Sequence, residues 1–274
     1  MILLSFDTEE FDLPCEYGVK HRPVEDGMEV SRYGLVRILD LLKAEDVHAT
    51  FFCTTTFAQH APDLMERIVN EGHEVASHGC NHLEPRPEDV ITSKRLLEEQ
   101  TDITVKGYRQ PRMFPVSIEE LKRQGYLYNS SLNPAFIPGR YMHLDQPRTP
   151  FMQDGVFQIP ASVTPWFRFP LFWLSLHNLP LWLYKRWARW TWRHDGQFVH
   201  YNHPWEFFPL KEHPEWHIPF IIKCNSGDEL LRRLGEVIRM FKKEHALFAT
   251  YSEYVASRYN FSSTTTITTI RTAN

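Results

Sequence analysis

Two stretches share one plan: Met1-Ile2-Leu3-Leu4-Ser5-Phe6-Asp7-Thr8-Glu9-Glu10 and His73-Glu74-Val75-Ala76-Ser77-His78-Gly79-Cys80-Asn81-His82. Each starts as a short strand-like run and breaks into residues that carry chemistry. Read as strands, 2–6 and 73–77 belong to an α/β fold, whose enzymes gather catalytic groups at strand ends. His78 and His82, four residues apart, can put both imidazoles on one metal ion. A nearby carboxylate from the first cluster can supply a third ligand.

The same alternation continues along the chain. Further strand-like runs lie at 48–53, 104–109, 126–130, 198–203 and 246–250. Between them, Leu35, Ile38, Leu39 and Leu42 fall on one helical face. Pro62 opens a helix carrying Leu64, Ile68 and Val69, and Gly72 ends it. Ser117-Ile118-Glu119-Glu120 reads as a helix start with Gly125 as its stop. Leu230, Leu234, Val237, Ile238 and Phe241 mark one face of a longer helix. Strand then helix, repeated, predicts a parallel sheet with helices outside. Seven strand candidates predict a distorted or open barrel rather than the standard eight-stranded one.

The alternation stops over 132–197, a segment rich in proline and aromatics. It reads as an insertion that caps one barrel mouth. Within it, Leu183, Trp187 and Trp190 share a helical face, while Lys185, Arg186, Arg189 and Arg193 lie largely elsewhere. A basic aromatic helix can rest on an anionic membrane. Packing of its tryptophans on the barrel is the favoured reading, with peripheral membrane contact as the alternative. No stretch is apolar for long enough to span a bilayer. Residues 1–260 read as a single domain and 261–274 as a polar C-terminal tail.

Composition narrows the class. Of 274 residues, 42% are hydrophobic, enough for a sizeable core, and a net charge of −4 gives no reason to expect a nucleic-acid partner. Cys15, Cys53, Cys80 and Cys224 form no CxxC pair, so neither a zinc knuckle nor a thioredoxin-type motif is supported. The start of the chain lacks the basic, apolar and cleavage regions of a signal peptide, so the expected compartment is the cytoplasm.

Two further polar clusters end strand candidates. One is Gly107-Tyr108-Arg109-Gln110-Pro111-Arg112 and the other Val199-His200-Tyr201-Asn202-His203-Pro204-Trp205-Glu206. Four clusters on four parallel strand ends converge on one face. No Gly-x-Ser-x-Gly turn is present, which disfavours a serine nucleophile.

These motifs resemble the polysaccharide deacetylases, the NodB-homology proteins of carbohydrate esterase family 4. The likeness is firmest over 1–131 and 198–251, and Ala49-Thr50-Phe51-Phe52 shares the family's look. The branch with a carboxylate-x-carboxylate first motif and a His-Pro-Trp-Glu final motif is the best match. The resemblance implies a distorted seven-stranded (β/α) barrel. It implies Asp7 as the general base and Glu9, His78 and His82 as ligands of one divalent metal, with Glu10 the alternative carboxylate. Zinc is the first expectation, and cobalt, nickel, manganese or iron would suit the same donors. Arg109 is expected to pair with the base, the backbone N–H of Arg112 to help form the oxyanion hole, and His203 to be the general acid. Asn129 stands where related sequences often carry an aspartate.

The physics supports these roles. A divalent metal polarises a carbonyl and acidifies bound water, two histidines and a carboxylate leave coordination sites open, and a neighbouring Arg109 favours an ionised Asp7. The expected function is metal-dependent hydrolysis of an N-acyl amide, N-acetyl first, on an amino sugar of a glycan or glycan precursor. Three rivals stay open. One is a metal-independent hydrolase of cyclic ureides or imides such as allantoin. Another is a deformylase or deacetylase of a lipid-linked amino sugar. The third is a non-catalytic glycan-binding protein.

Overall fold

The computed structural model describes residues 1–19, 24–137, 141–142 and 144–258. The polar tail expected at 261–274 lies outside the described residues. Among the described residues ten strands are formed: β1 Ile2–Thr8, β2 Thr50–Cys53, β3 Glu74–Ser77, β4 Gly107–Tyr108, β5 Tyr128–Asn129, β6 Phe136–Ile137, β7 Tyr141–Met142, β8 Phe151–Gln153, β9 Val156–Gln158 and β10 Phe198–Asn202. The principal helices are α1 Leu13–Glu16, α2 Val24–Ala44, α3 Thr55–His60, α4 Pro62–Asn70, α5 Asp89–Thr101, α6 Ile118–Arg123, α7 Trp173–Asn178, α8 Leu181–Asp195, α9 Phe220–Lys223 and α10 Asp228–Lys243.

Eight strands form one curled sheet in the order β10-β1-β2-β3-β4-β5-β9-β8, and β6 pairs with β7 in a separate ribbon. Every neighbouring pair from β10 to β9 is parallel, and β8 returns antiparallel on the edge. That makes seven consecutive parallel strands. The gap between β9 and β10 is crossed at Ser162, whose backbone N–H donates to Val199 O (3.0 Å) while its Oγ accepts from Val199 N (2.9 Å). The result is a distorted α/β barrel.

One expected strand needs correction, and one unexpected strand takes its place. The run at 246–250 makes only an isolated parallel bridge, Ile2 to Phe248, beside the start of β1. The seventh parallel strand is β9, inside the stretch expected to be an insertion.

Strand parity sorts the core. Ile2, Leu4, Phe6, Phe51, Val75, Tyr108 and Phe198 point outward into one large cluster with Leu35, Ile38 and Leu39 of α2 and Leu234, Ile238 and Phe241 of α10. Leu3, Phe52, Ala76, Tyr128 and Val199 point inward. A helix over 251–258 fills the interior from the other side with Tyr251, Tyr254 and Val255. Successive side chains of a strand face opposite ways, so both layers follow from one period. Parity also directs Asp7, His78, Arg109 and His203 to the inner side, in line with Leu3, Ala76 and Val199.

Close approach of the backbone shapes the mouth. A Cβ on Gly34 would lie 1.7 Å from Pro204 O, so only glycine lets α2 seat against the turn that follows His203. The aromatic-rich segment divides. Trp173 and Leu174 of α7 border the mouth, whereas α8 joins the outer layer and buries Tyr184, Ala188 and Thr191. Trp192 packs on Phe241 with ring centroids 5.7 Å apart, Trp187 packs on Phe169, and Trp182 is exposed. Among the described residues no helix is long and apolar enough to cross a membrane.

Candidate active site

A cavity of about 300 Å³ opens at the carboxyl ends of the strands, lined by Asp7, Glu9, His78, His82 and His203, with Arg112 on its rim. A larger open groove of about 730 Å³ runs along α2. Its Arg32 is already paired with Asp63, and among the described residues the converging metal-type donors lie elsewhere. The smaller cavity therefore holds the candidate site.

Glu9, His78 and His82 come together in it. Each offers one ligand atom, and these atoms lie within 4.8 Å of one another. Glu9 Oε2 is 3.2 Å from His78 Nε2 and 3.4 Å from His82 Nε2. The other nitrogen of each ring is committed. His78 Nδ1 meets the Arg109 carbonyl at 2.7 Å, and His82 Nδ1 meets Asp12 Oδ2 at 2.8 Å. Both partners are acceptors, so a neutral ring keeps its proton on Nδ1 and turns the Nε2 lone pair toward Glu9. Glu9 Oε2 is buried with no hydrogen-bond partner. Three lone-pair donors thus face one another, an arrangement that a cation satisfies. Two imidazoles and a carboxylate suit a first-row divalent ion.

The electrostatics express the same demand for positive charge. Burial works against an ionised Glu9, yet the neighbouring histidines hold its pKa down to about 2. Burial likewise opposes a charged His82, and Glu9 and Asp12 push it up to about 9.

Glu10 takes another path. Its Oε1 accepts from the His82 backbone N–H and its Oε2 from Thr54 Oγ1, each at 2.8 Å. It braces the loop and faces away from the cluster, leaving Glu9 as the converging carboxylate.

Asp7 receives the fully buried Arg109 guanidinium on Oδ1. Arg109 also donates to Ser130 O (3.1 Å), Ser130 Oγ (2.9 Å) and Tyr251 OH (3.1 Å). It stacks over Phe52 at 4.0 Å. Burial disfavours its charge, but Asp7 more than compensates and the pKa is raised. Asn129 stays out of this network. It donates to Gln158 Oε1 (2.8 Å) and accepts from Ser131 Oγ (2.5 Å). Ser130 and Tyr251 do the holding instead.

His203 Nε2 lies 3.9 Å from Asp7 Oδ2. Its ring stacks on Trp205 at 4.8 Å and meets Trp173 edge-on at 5.4 Å. Its Nδ1 bonds Glu206 Oε1 at 2.7 Å, and its backbone N–H donates to the same oxygen at 2.6 Å. Glu206 Oε2 accepts from Asn202 Nδ2 (2.6 Å) and bonds His177 Nε2 (2.9 Å). Burial disfavours protonated His203, yet the Glu206 bond and the charges of Glu9, Glu206 and Asp7 raise its pKa. Burial also works against ionised Glu206, but the bonds from His177 and His203 lower its pKa.

His200 has the opposite parity. It is buried in the outer layer against Tyr184 OH (2.8 Å) and Asn202 Oδ1 (2.7 Å), away from the mouth. Arg112 is left-handed, with φ +60° and ψ 12°, and its guanidinium bonds Glu16 at 2.5 Å.

Sequence reasoning did not assign roles to Glu206, His177, Asp12 or Tyr251. Glu206 could have been found from its spacing, three residues after a mouth histidine. His177 and Tyr251 have no local signal, since they meet the site only through the fold.

The family model described as "Polysaccharide deacetylase" matches residues 24–122, a stretch that holds His78, His82, Arg109 and Arg112. Over that stretch the chain is similar to the polysaccharide deacetylases. Similar proteins include a peptidoglycan deacetylase of Helicobacter pylori, 30% identical over 127 residues, which are 42% of this chain and 43% of that protein. A chitooligosaccharide deacetylase of Bradyrhizobium is 39% identical over 67 residues, 22% of this chain and 31% of that one. The matched segments thus span less than half the length of these curated relatives. The solved Puue allantoinase superposes with a TM-score of 0.66 at 16% identity, over 93% of this chain and 88% of that one, a likeness of fold.

Proposed function

We propose that this chain hydrolyses the N-acyl amide of an amino sugar, an acetyl group first, in a glycan or glycan precursor. The observation that carries the reading is the pairing of Asp7 and His203, 3.9 Å apart, beside three converging metal-type donors. The naming of similar proteins as peptidoglycan and chitooligosaccharide deacetylases supports the substrate class.

Glu9, His78 and His82 would hold a divalent ion, zinc first, which supplies carbonyl polarisation and a water of lowered pKa. The chain's own groups do the rest. Asp7, anchored by Arg109, accepts a proton from the attacking water. The water oxygen adds to the acyl carbon, and the Arg112 backbone N–H is cast as a donor to the oxyanion. His203 keeps Nδ1 on Glu206 and presents Nε2 to the cavity, where it gives its proton to the amine nitrogen. The C–N bond breaks, leaving a carboxylic acid and a free amine. Asp12 and the Arg109 carbonyl orient the two ligand histidines.

The test combines metal content with acetate release. Purified protein is loaded with zinc and assayed on N-acetylated chitooligosaccharides, peptidoglycan fragments and allantoin. Acetate from an amino sugar, lost on chelation and restored by metal, supports the reading. Allantoin turnover with no acetate from any sugar refutes it.

A further inference from the structure

Charge and tryptophan are unevenly spread along this chain. Its net charge is −4, yet no Asp or Glu occurs between Asp154 and Asp195. That stretch carries Arg168, Lys185, Arg186, Arg189 and Arg193, and six of the eight tryptophans. Trp173 borders the mouth and Trp192 packs against the core. The other four, Trp166, Trp182, Trp187 and Trp190, lie on α8 or against it.

The chain from Val163 to Pro170 makes a tied hairpin. Val163 bridges Pro170, Thr164 N donates to Phe169 O (2.9 Å), and Phe169 N donates to Thr164 Oγ1 (2.9 Å). Arg168 takes the left-handed turn at φ +54° and donates from Nη1 to Gln146 O (2.6 Å). Trp166 and Phe167 are thereby held at a fixed tip, 79% and 51% exposed. Trp166 meets Trp190 edge-on at 5.3 Å, and Phe167 meets Trp187 at 5.6 Å. An apolar patch that the fold holds open to water marks a contact surface.

A basic row adjoins it. Trp182, Arg186, Arg189 and Arg193 stand at i, i+4, i+7 and i+11, which puts them on one face of α8. Trp182 is 68% exposed, and Arg186 and Arg193 are exposed. The carboxylates that meet the row are shared. Glu244 takes both Arg189 and Arg193, and Glu236 takes Arg232 besides Lys185. Among the described residues no carboxylate pairs with Arg186. The face is locally positive although the chain as a whole is negative.

We propose that the outer face of α8 and the hairpin tip dock on an anionic phospholipid surface. Tryptophan, with an apolar body and one N–H, suits the headgroup level of a bilayer. Cations beside it meet the lipid phosphates. A neutral glycan could stack on the same rings but would draw nothing from the cations, so the acid-free, basic stretch favours the lipid. No described helix is long and apolar enough to cross a membrane, and the contact is therefore peripheral. This inference does not rest on the deacetylase reading, since none of these docking residues lines the candidate site.

The experiment is cosedimentation of the full chain with vesicles of phosphatidylcholine, with and without phosphatidylglycerol, at about 0.15 M salt. The variants are Arg186→Glu and the double variant Trp166→Ser with Trp182→Ser. All three side chains are exposed, so melting temperatures should stay near wild type. Wild type should pellet with the phosphatidylglycerol vesicles and far less with phosphatidylcholine alone. A cation at an anionic surface is worth about fivefold in partitioning, so Arg186→Glu, a change of two charges, should cost about thirtyfold. The tryptophan variant should cost about tenfold or more on the same vesicles. A wild-type chain that stays in the supernatant overturns the proposal, as do folded variants that pellet like wild type. Chitooligosaccharide binding that the tryptophan variant loses, without vesicle binding, would make the patch a glycan platform and overturn the lipid reading. A dimer in sedimentation equilibrium that the same variants dissolve, again without vesicle binding, would assign the face to a second copy and overturn it too.

Discussion

Glu206→Gln changes one buried atom and isolates what the carboxylate does for His203. Glu206 Oε1 takes two donors, His203 N and Nδ1, at 2.6 and 2.7 Å. Its Oε2 bonds Asn202 Nδ2 and His177 Nε2 at 2.6 and 2.9 Å. The backbone N–H of His203 cannot reverse its role, whereas the His177 ring can release a proton and accept. The glutamine therefore turns its oxygen to His203 and its NH₂ to His177, and the Asn202 amide gives up its bond to that position. The geometry at His203 survives and the charge is lost. A hydrogen bond to a charged group is worth about 1.5–3 kcal/mol and a neutral one about 0.5–1.5. The difference, about 1–2 kcal/mol, is about one pH unit at ~1.4 kcal/mol per unit. Glu206 raises the pKa of His203, so the variant's pKa moves down. An acid works only while protonated, and its activity fades as pH rises through its pKa. The alkaline limb of kcat/KM should therefore shift about one unit lower, with about a tenfold loss at pH values beyond the wild-type limb. Metal content should be unchanged, because Glu206 bonds none of the three ligand side chains. The assay is a pH–rate profile of metal-loaded wild type and variant on the same N-acetylated sugar. An unmoved alkaline limb with intact metal would refute the reasoning.

Three further outcomes follow from the same geometry. Asp7→Asn should abolish turnover and keep its metal, read by metal content beside kcat. It should also lower the melting temperature by leaving buried Arg109 without its carboxylate, and metal loss in this variant would make Asp7 a ligand. Glu9→Gln should lose metal affinity while Glu10→Gln retains it, since Glu10 bonds only Thr54 and the His82 backbone; equilibrium dialysis with zinc distinguishes them, and the opposite ranking exchanges the two roles. His203→Ala should cut kcat by about 10²–10⁴, the usual worth of one general acid, with metal retained, whereas His200→Ala should show chiefly as lost thermal stability. A near-normal kcat for His203→Ala would remove it as the proton donor.

Much of the candidate site is legible because it is local. Asp7, His78, Arg109 and His203 each sit at or just past the end of a strand, and parallel strands bring those ends together. The period of two also separates His203 from His200. Glu9 shares the parity of Asp7, and Glu10 does not, although both lie beyond β1. That parity signal was available in the chain, but only the packing of Thr54 and His82 around Glu10 makes it decisive.

Other features carry no local mark. A buried strand of two or three residues has too little length for a pattern, so β9 is hidden in a proline- and aromatic-rich stretch. The more strand-like 246–250 finds only one free edge position, at Ile2. Its chain then turns into the helix that sends Tyr251 to Arg109. His177 reaches Glu206 across 29 residues and Tyr251 reaches Arg109 across 142. Sequence alone determined the alternating α/β plan and the residue types at the barrel mouth, because strand and helix periods and strand-end clusters are written within a few residues. Tertiary structure alone decided which carboxylate converges with the histidines, which strand closes the parallel series, and which buried groups hold Arg109 and His203. Those choices depend on which side chains meet across the curled sheet, and no short window of sequence contains both partners.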